Sequence, residues 1–255
     1  MDKRIGMSNV SREENMTVKS TARKPAKPSL FVIFARDTNV AVIFRRGPSA
    51  WYHVIRWDTG EDTFHHGAWF KGRIYPEKCD LAPDGGLLLC FMHKGSKLRT
   101  DYSDSWSAIS RCPWLEALWL LPQGTTYGGG GRFTDNQSAV LRRCPWFDTQ
   151  PHPNHPGHTL TIDFEASPES VPLHSSSEEV EGADWSGRDQ RGRLIYASGG
   201  LLFLCEESAS QDKCLVDFSE CVPDPTPAPK VASAPLPPQK RQRAGRQKKS
   251  RNTMG

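Results

Sequence analysis

The 255-residue chain has no apolar run long enough to cross a bilayer as a helix, so no membrane span is expected. Its N-terminus carries charges with no apolar stretch behind them, which argues against a secretory signal. No two cysteines form a CxxC pair, and the seven present (Cys79, Cys90, Cys112, Cys144, Cys205, Cys214, Cys221) are an odd number. Without a signal they read as reduced thiols of a cytoplasmic protein. Cys90 in LLLCFM and Cys205 in LFLCEE read as small core hydrophobes. GxSxG, HExxH and any nucleophile–base pair at motif spacing are also missing. The glycine run TTYGGGGRFTDN (125–136) lacks the Lys-Ser/Thr of a phosphate loop and precedes a strand, so it reads as a flexible connector. No enzyme and no obligatory cofactor are expected.

Charge is distributed unevenly. Residues 1–29 carry seven Lys/Arg against three Asp/Glu, and residues 230–255 carry eight against none. The body between them is therefore net negative by about eight, although the whole chain is +4. The N-terminal arm has no apolar period, and from Val222 the chain is Pro/Ala-rich and then basic. Neither end offers enough apolar surface to offset the entropy of ordering it. The expected organisation is a disordered arm at 1–29, a mainly-β domain at 30–221 and a disordered tail at 222–255.

Within the body, short β-branched and aromatic runs follow one another: FVIFAR (31–36), VAVIFRRG (40–47), WYHVIRWD (51–58), WFKGRIY (69–75), LLLCFMHK (87–94), SWSAIS (105–110), HTLTIDFEA (158–166), GRLIYAS (192–198) and LLFLCE (201–206). Gly, Pro, Asn or Asp punctuates nearly every gap at intervals of about 8–12 residues, as in all-β sandwiches, barrels and propellers. LEALWLLP (115–122) and RFTDNQSAVLRR (132–143) are further such runs; of them all only LEALWLLP could be helical, and Pro122 would end a helix there after two turns.

In CDLAPDGGLLLCFMHKG (79–95), Pro83 presets φ for a turn, and Asp84-Gly85 tolerates positive φ between two strands. This stretch resembles the A/S-P-D-G turn of WD40-like, TolB-type propeller repeats. DWSGRDQRGRLIYASGGLLFLCEE (184–207) has the same outline, with Asp189 and Gly192 in the turn but no Pro-Asp-Gly. The resemblance implies an irregular β-propeller-like array of antiparallel sheets, with a β-sandwich as the alternative. A further repeat, Cys112-Pro113-Trp114 and Cys144-Pro145-Trp146, recurs at a shorter interval than a blade.

Three stretches carry candidate chemistry. QPHPNHPGHTL (150–160) spaces His152, His155 and His158 three apart. A turn centred on Pro156-Gly157 would bring His155 and His158 together, with Cys144, His152 or Asp148 completing a tetrahedral zinc set. The alternative is an exposed Pro/His loop. Cys112-Pro113 and Cys144-Pro145 are dipeptides of the kind that supply a thiolate to haem, or else pack with Trp where a strand ends. His65 and His66 point to opposite strand faces and do not act together. The tail residues Lys240, Arg241, Arg243, Arg246, Lys248, Lys249 and Arg251 can neutralise nucleic-acid phosphates without reading sequence, and offer no aromatic for stacking.

The sequence therefore favours a non-enzymatic protein-interaction scaffold built on a WD40-like β domain. The alternatives are electrostatic nucleic-acid association through the tail, and metal binding through the 144–158 loop.

Overall fold

The computed structural model describes residues 27–47, 50–95, 102–144, 146, 150–166, 174, 180–206 and 211–238. Within them the fold is all-β, in four sheets that follow one another along the chain. The first sheet is an antiparallel meander of β1 (Ser29–Phe34), β2 (Val40–Arg46), β3 (Trp51–Asp58) and β4 (Thr63–Lys71). The second contains β5 (Arg73–Ile74), β6 (Asp80–Leu81), β7 (Leu87–His93), β8 (Ser105–Arg111) and β9 (Ala117–Pro122). β5 and β6 both pair with β7, on either side of a single 3-10 turn at Pro76–Lys78. The third has β10 (Gly131–Phe133), β11 (Ser138–Arg143) and β12 (Thr161–Ala166), with β12 parallel to β11. The fourth, antiparallel again, has β13 (Trp185–Arg188), β14 (Leu194–Ser198), β15 (Leu201–Leu204) and β16 (Lys213–Asp217). None of the sheets closes on itself.

The continuous apolar runs are explained by burial of both faces of the central strands. On β2, Val42 and Phe44 face the second sheet, where they meet Leu81, Leu88, Cys90 and Met92. Ala41 and Ile43, one residue out of phase, join Trp185, Ile195, Ala197 and Leu202 of the fourth sheet. The second sheet turns its other face, Leu87, Leu89, Ile109 and Leu121, to Phe133, Ala139 and Leu141 of the third. The order of packing is thus fourth, first, second, third. Each buried Leu, Ile or Phe contributes roughly 1.5–3 kcal/mol relative to exposure.

LEALWLLP supplies β9 as a strand, because pairing with β8 satisfies its backbone and buries Leu120 and Leu121. One expectation changes. The Pro-rich segment after Val222 is not free chain. It runs from the end of the fourth sheet to the boundary of the second and third, where Arg111 donates to the carbonyls of Ala234 and Pro235, at 3.0 and 3.2 Å, and Gln137 Nε2 donates to that of Pro237 at 3.0 Å. Proline lacks an N–H but keeps its carbonyl, so such a segment can dock without joining a ladder. Leu236 packs on the core there, and Ala232 is fully buried. The ordered body therefore extends to Pro238; residues 1–26 and 239–255 lie outside the described residues.

The Cys-Pro-Trp repeat does not mark a structural period. Its first copy follows β8, the last-but-one strand of its sheet, and its second follows β11, the middle one, running the opposite way.

Candidate functional site

The strand directions place the first hairpin turn of every sheet at one end of the molecule, and these turns bond to one another. In the Pro83-Asp84-Gly85 turn, Gly85 has φ 73° and its N–H donates to Ala82 O at 2.8 Å. Pro83 O accepts from Asp37 N of the first sheet at 2.9 Å, and Asp84 N donates to Asn136 Oδ1 of the third at 2.9 Å. In the fourth sheet, Asp189 and Gly192 form the corresponding turn, with Gly192 at φ 77° and its N–H on Asp189 O at 2.9 Å. Gln190 between them donates to the carbonyls of Ala35, Thr38 and Val40, at 3.0, 2.8 and 2.8 Å. Of the five turn residues singled out in the sequence, Pro83 and Asp84 bond to neighbouring sheets directly, while Gly85, Asp189 and Gly192 shape turns whose cross-sheet bonds in the fourth sheet come from Gln190.

Arg193 reinforces this end. It bonds Asp62 through both terminal nitrogens at 2.8 and 3.0 Å, and Asp189 through Nε at 2.6 Å. Burial alone would raise the Asp62 carboxyl, but the Arg193 fork and the Trp57 indole N–H outweigh it and hold the group below its usual range. Deeper in, the buried Asp80 carboxylate accepts from Phe133 N at 2.7 Å and meets Arg36 at 3.4 Å and His174 at 3.2 Å.

The opposite end is open. A cavity of about 500 Å³ lies between the first and second sheets, lined by Arg46, Ala50, Tyr52, Lys71, Gly72, Arg73, His93, Lys94 and Gly95. Register builds it: Arg46 opposes Tyr52, Lys71 ends β4, and Arg73 opposes His93 across β5 and β7. Ala50 O accepts from Gly72 N at 2.8 Å and holds the link between the two sheets in place. Arg46, Lys71, Arg73 and Lys94 are exposed, and none makes an ion pair with a described residue. Lys71 lies 5.9 Å from the Trp51 ring centroid and Arg73 lies 4.8 Å from that of Tyr75, so both approach aromatic faces. Tyr52 is 6% exposed, and its hydroxyl has no hydrogen-bond partner among the described residues. Burial raises its phenol pKa, with Arg46 and Arg73 pulling the other way. Glu77 and Asp184 line an adjoining space of about 190 Å³ whose wall Arg46, Tyr52 and Arg73 share, and Glu116 shares a further space with Lys94.

The histidine loop is held by contacts of its own with protein groups. His155 Nδ1 lies 2.8 Å from Ala117 O, which fixes that nitrogen as the donor, and Nε2 is 3.2 Å from Tyr102 Oη as acceptor. His152 is buried, stacks on Tyr102 at 4.2 Å between ring centroids, and accepts from Asn154 N through Nδ1. Pro156 and Gly157 lie against Trp119 rather than closing a turn that joins His155 to His158. Cys144 is buried at the end of β11. Among the described residues no three His, Cys, Asp or Glu side chains gather as a metal set, and Asp148 lies outside them. Burial pushes the Cys112 thiol up to about 12, which disfavours a thiolate there.

The glycine run is close-packed, not a loose connector. Gly129 sits against the Phe91 ring and Gly130 against the Lys78 carbonyl, with no room for a Cβ at either. Lys78 Nζ donates to Thr126 O and Gly128 O at 3.1 and 2.8 Å, fixing the loop from inside. A second feature absent from the sequence reading is His53. It is 2% exposed, stacked between Trp69 and His66 at 4.1 and 4.9 Å, and neither ring nitrogen has a protein partner. Lys240 to Arg251 lie outside the described residues.

The sequence signal for the open cavity is the placement of Arg46, Lys71, Arg73 and Lys94 at strand ends beside glycines, which a net-charge count over the body conceals. Compared with known protein families, with curated proteins and with solved structures, the chain matches none of them.

Proposed function

We propose that the protein is a non-enzymatic interaction scaffold of the cytoplasm, its four sheets forming an irregular propeller-like array that holds a partner at its open end. The observation that carries the reading is the contrast between the two ends. One is cross-bonded turn to turn from the fourth sheet through the first and second to the third, while the other carries cavities and unpaired side chains. A rigid body with one locked end presents preformed loops at the other, which lowers the ordering cost of binding. The propeller-like arrangement is supported by the first strands: β1 neighbours β6 and β13, and β6 neighbours β10. None of the seven cysteines is in a disulfide, which accords with a reducing compartment. Among the described residues no helix is long and apolar enough to cross a membrane.

The test is amine-reactive cross-linking of the full chain with its co-purifying partners, followed by mapping of the linked lysines. Lys71 and Lys94 lie at the open end and are expected in the links. Links confined to Lys240, Lys248 and Lys249 would move the function into the tail and sink the scaffold reading.

A further inference from the structure

We propose that the cavity between the first and second sheets is a binding site for a small soluble ligand carrying two or more phosphoryl groups. Four cationic side chains from four separate chain positions converge on it in a body whose net charge is negative. Nothing in the fold requires this convergence: the four side chains are exposed, satisfy no buried acceptor and neutralise no described carboxylate. Gathering like charges opposes folding, and an anion removes that opposition.

The donor types narrow the ligand. Arg46 and Arg73 carry planar guanidinium forks that match two oxygens of one phosphoryl group. Lys71 and Lys94 add ammonium groups on flexible stems, suited to a second group. Tyr52, a buried residue in the lining, contributes a hydroxyl with no hydrogen-bond partner among the described residues, so it can donate to a phosphoryl oxygen while remaining neutral. His93 stands opposite Arg73 and adds a further donor when protonated. A single phosphoryl group saturates two of the four cations, and the cavity of about 500 Å³ has room for more than one. Glu77 and Asp184 in the adjoining space limit how far an anion extends toward the centre. The site stands independently of whether a protein docks at the same end.

The experiment is isothermal titration at low ionic strength with sodium tripolyphosphate, inorganic phosphate and citrate. It uses the full chain with Lys240, Arg241, Arg243, Arg246, Lys248, Lys249 and Arg251 replaced by Gln, so that the tail adds no binding of its own. Tripolyphosphate is expected to bind one per chain, at least tenfold tighter than phosphate or citrate. Arg46→Ala with Arg73→Ala should weaken it at least tenfold, and Tyr52→Phe, which removes only a hydroxyl, by a few fold. Thermal melts of the same samples confirm that each variant is folded. Absence of saturable tripolyphosphate binding, or binding unchanged in both variants, overturns the site. Citrate bound as tightly as tripolyphosphate overturns its assignment to phosphoryl groups.

Discussion

His53 gives the sharpest test of the packing. The ring is buried and stacked by Trp69 and His66, and neither nitrogen is bonded within the protein. Burial, then the nearby charges of His66 and Arg45, lower its pKa from 6.5 to about 3. A histidine depressed in the folded state binds its proton first in the unfolded chain. Stability is therefore full above pH 6.5, falls as pH drops through the interval down to about 3, and falls no further below it. Between pH 6.5 and 4.5 the ideal linkage is about 2.3 kcal/mol, which solvent screening and side-chain relaxation reduce to about 1–2 kcal/mol.

Other carboxylates titrate near the lower limit, so the informative quantity is a difference between two proteins. His53→Phe keeps an aromatic ring in the stack and removes the titrating nitrogens. At pH 7 it should be neutral or more stable by about 1 kcal/mol, since relief of two unpaired polar atoms is offset by a slightly larger ring. At pH 4.5 its advantage over the natural protein should have grown by about 1–2 kcal/mol. Urea unfolding at pH 7.0, 5.5 and 4.5 measures this, and the same samples allow an NMR titration of the His53 ring. An advantage that does not change with pH, or a ring that titrates near 6.5, would falsify the argument.

Two further predictions concern the locked end. Gly85→Ala forces a β-carbon into a φ 73° turn and places it 2.5 Å from Val40, so a loss of about 2–4 kcal/mol is expected by chemical denaturation; a loss below about 1 kcal/mol means the turn adapts freely. Arg193→Ala leaves the fully buried Asp189 carboxylate and Asp62 without their shared cation, and should cost about 3–5 kcal/mol. Arg193→Lys, which keeps the charge but loses the fork, should fall between the two proteins in melting temperature.

What the sequence revealed of the fold depended on how deeply each strand is buried. β1, β2, β3 and β15 lie between packed sheets or beside one, so their runs are apolar enough to be read directly. β16, with exposed and half-buried residues at a sheet edge, and the three-residue β10 carry too little pattern and were not expected as separate strands. β4 is one strand, although His65-His66-Gly67 interrupts its apolar pattern and splits it in sequence. The segment to Pro238 escaped because composition measures what a chain can bury, while this one docks through carbonyls that Arg111 and Gln137 reach. The turn residues were legible because their backbone geometry is local. The cavity was not, since Arg46, Tyr52, Lys71, Arg73 and Lys94 meet only after the first and second sheets pack.

Arg45 and Arg46 show how strand alternation separates two uses of the same residue type. They are adjacent on β2 and point to opposite faces. Arg45 turns toward the fourth sheet, is 1% exposed, and donates to the carbonyls of Phe218, Gly47 and Ser219 at 2.6, 2.5 and 2.9 Å. Burial lowers its pKa, Cys221 and Glu220 oppose that, and the three carbonyls satisfy its fork. It therefore anchors the chain where the C-terminal segment leaves the fourth sheet. Arg46 turns the other way, to the open cavity, and makes no ion pair with a described residue. A guanidinium buried and held by three carbonyls is closed to a ligand, whereas its exposed neighbour has its whole fork free. A binding role at the open end thus follows from which arginines are already satisfied, and not from how many the chain contains.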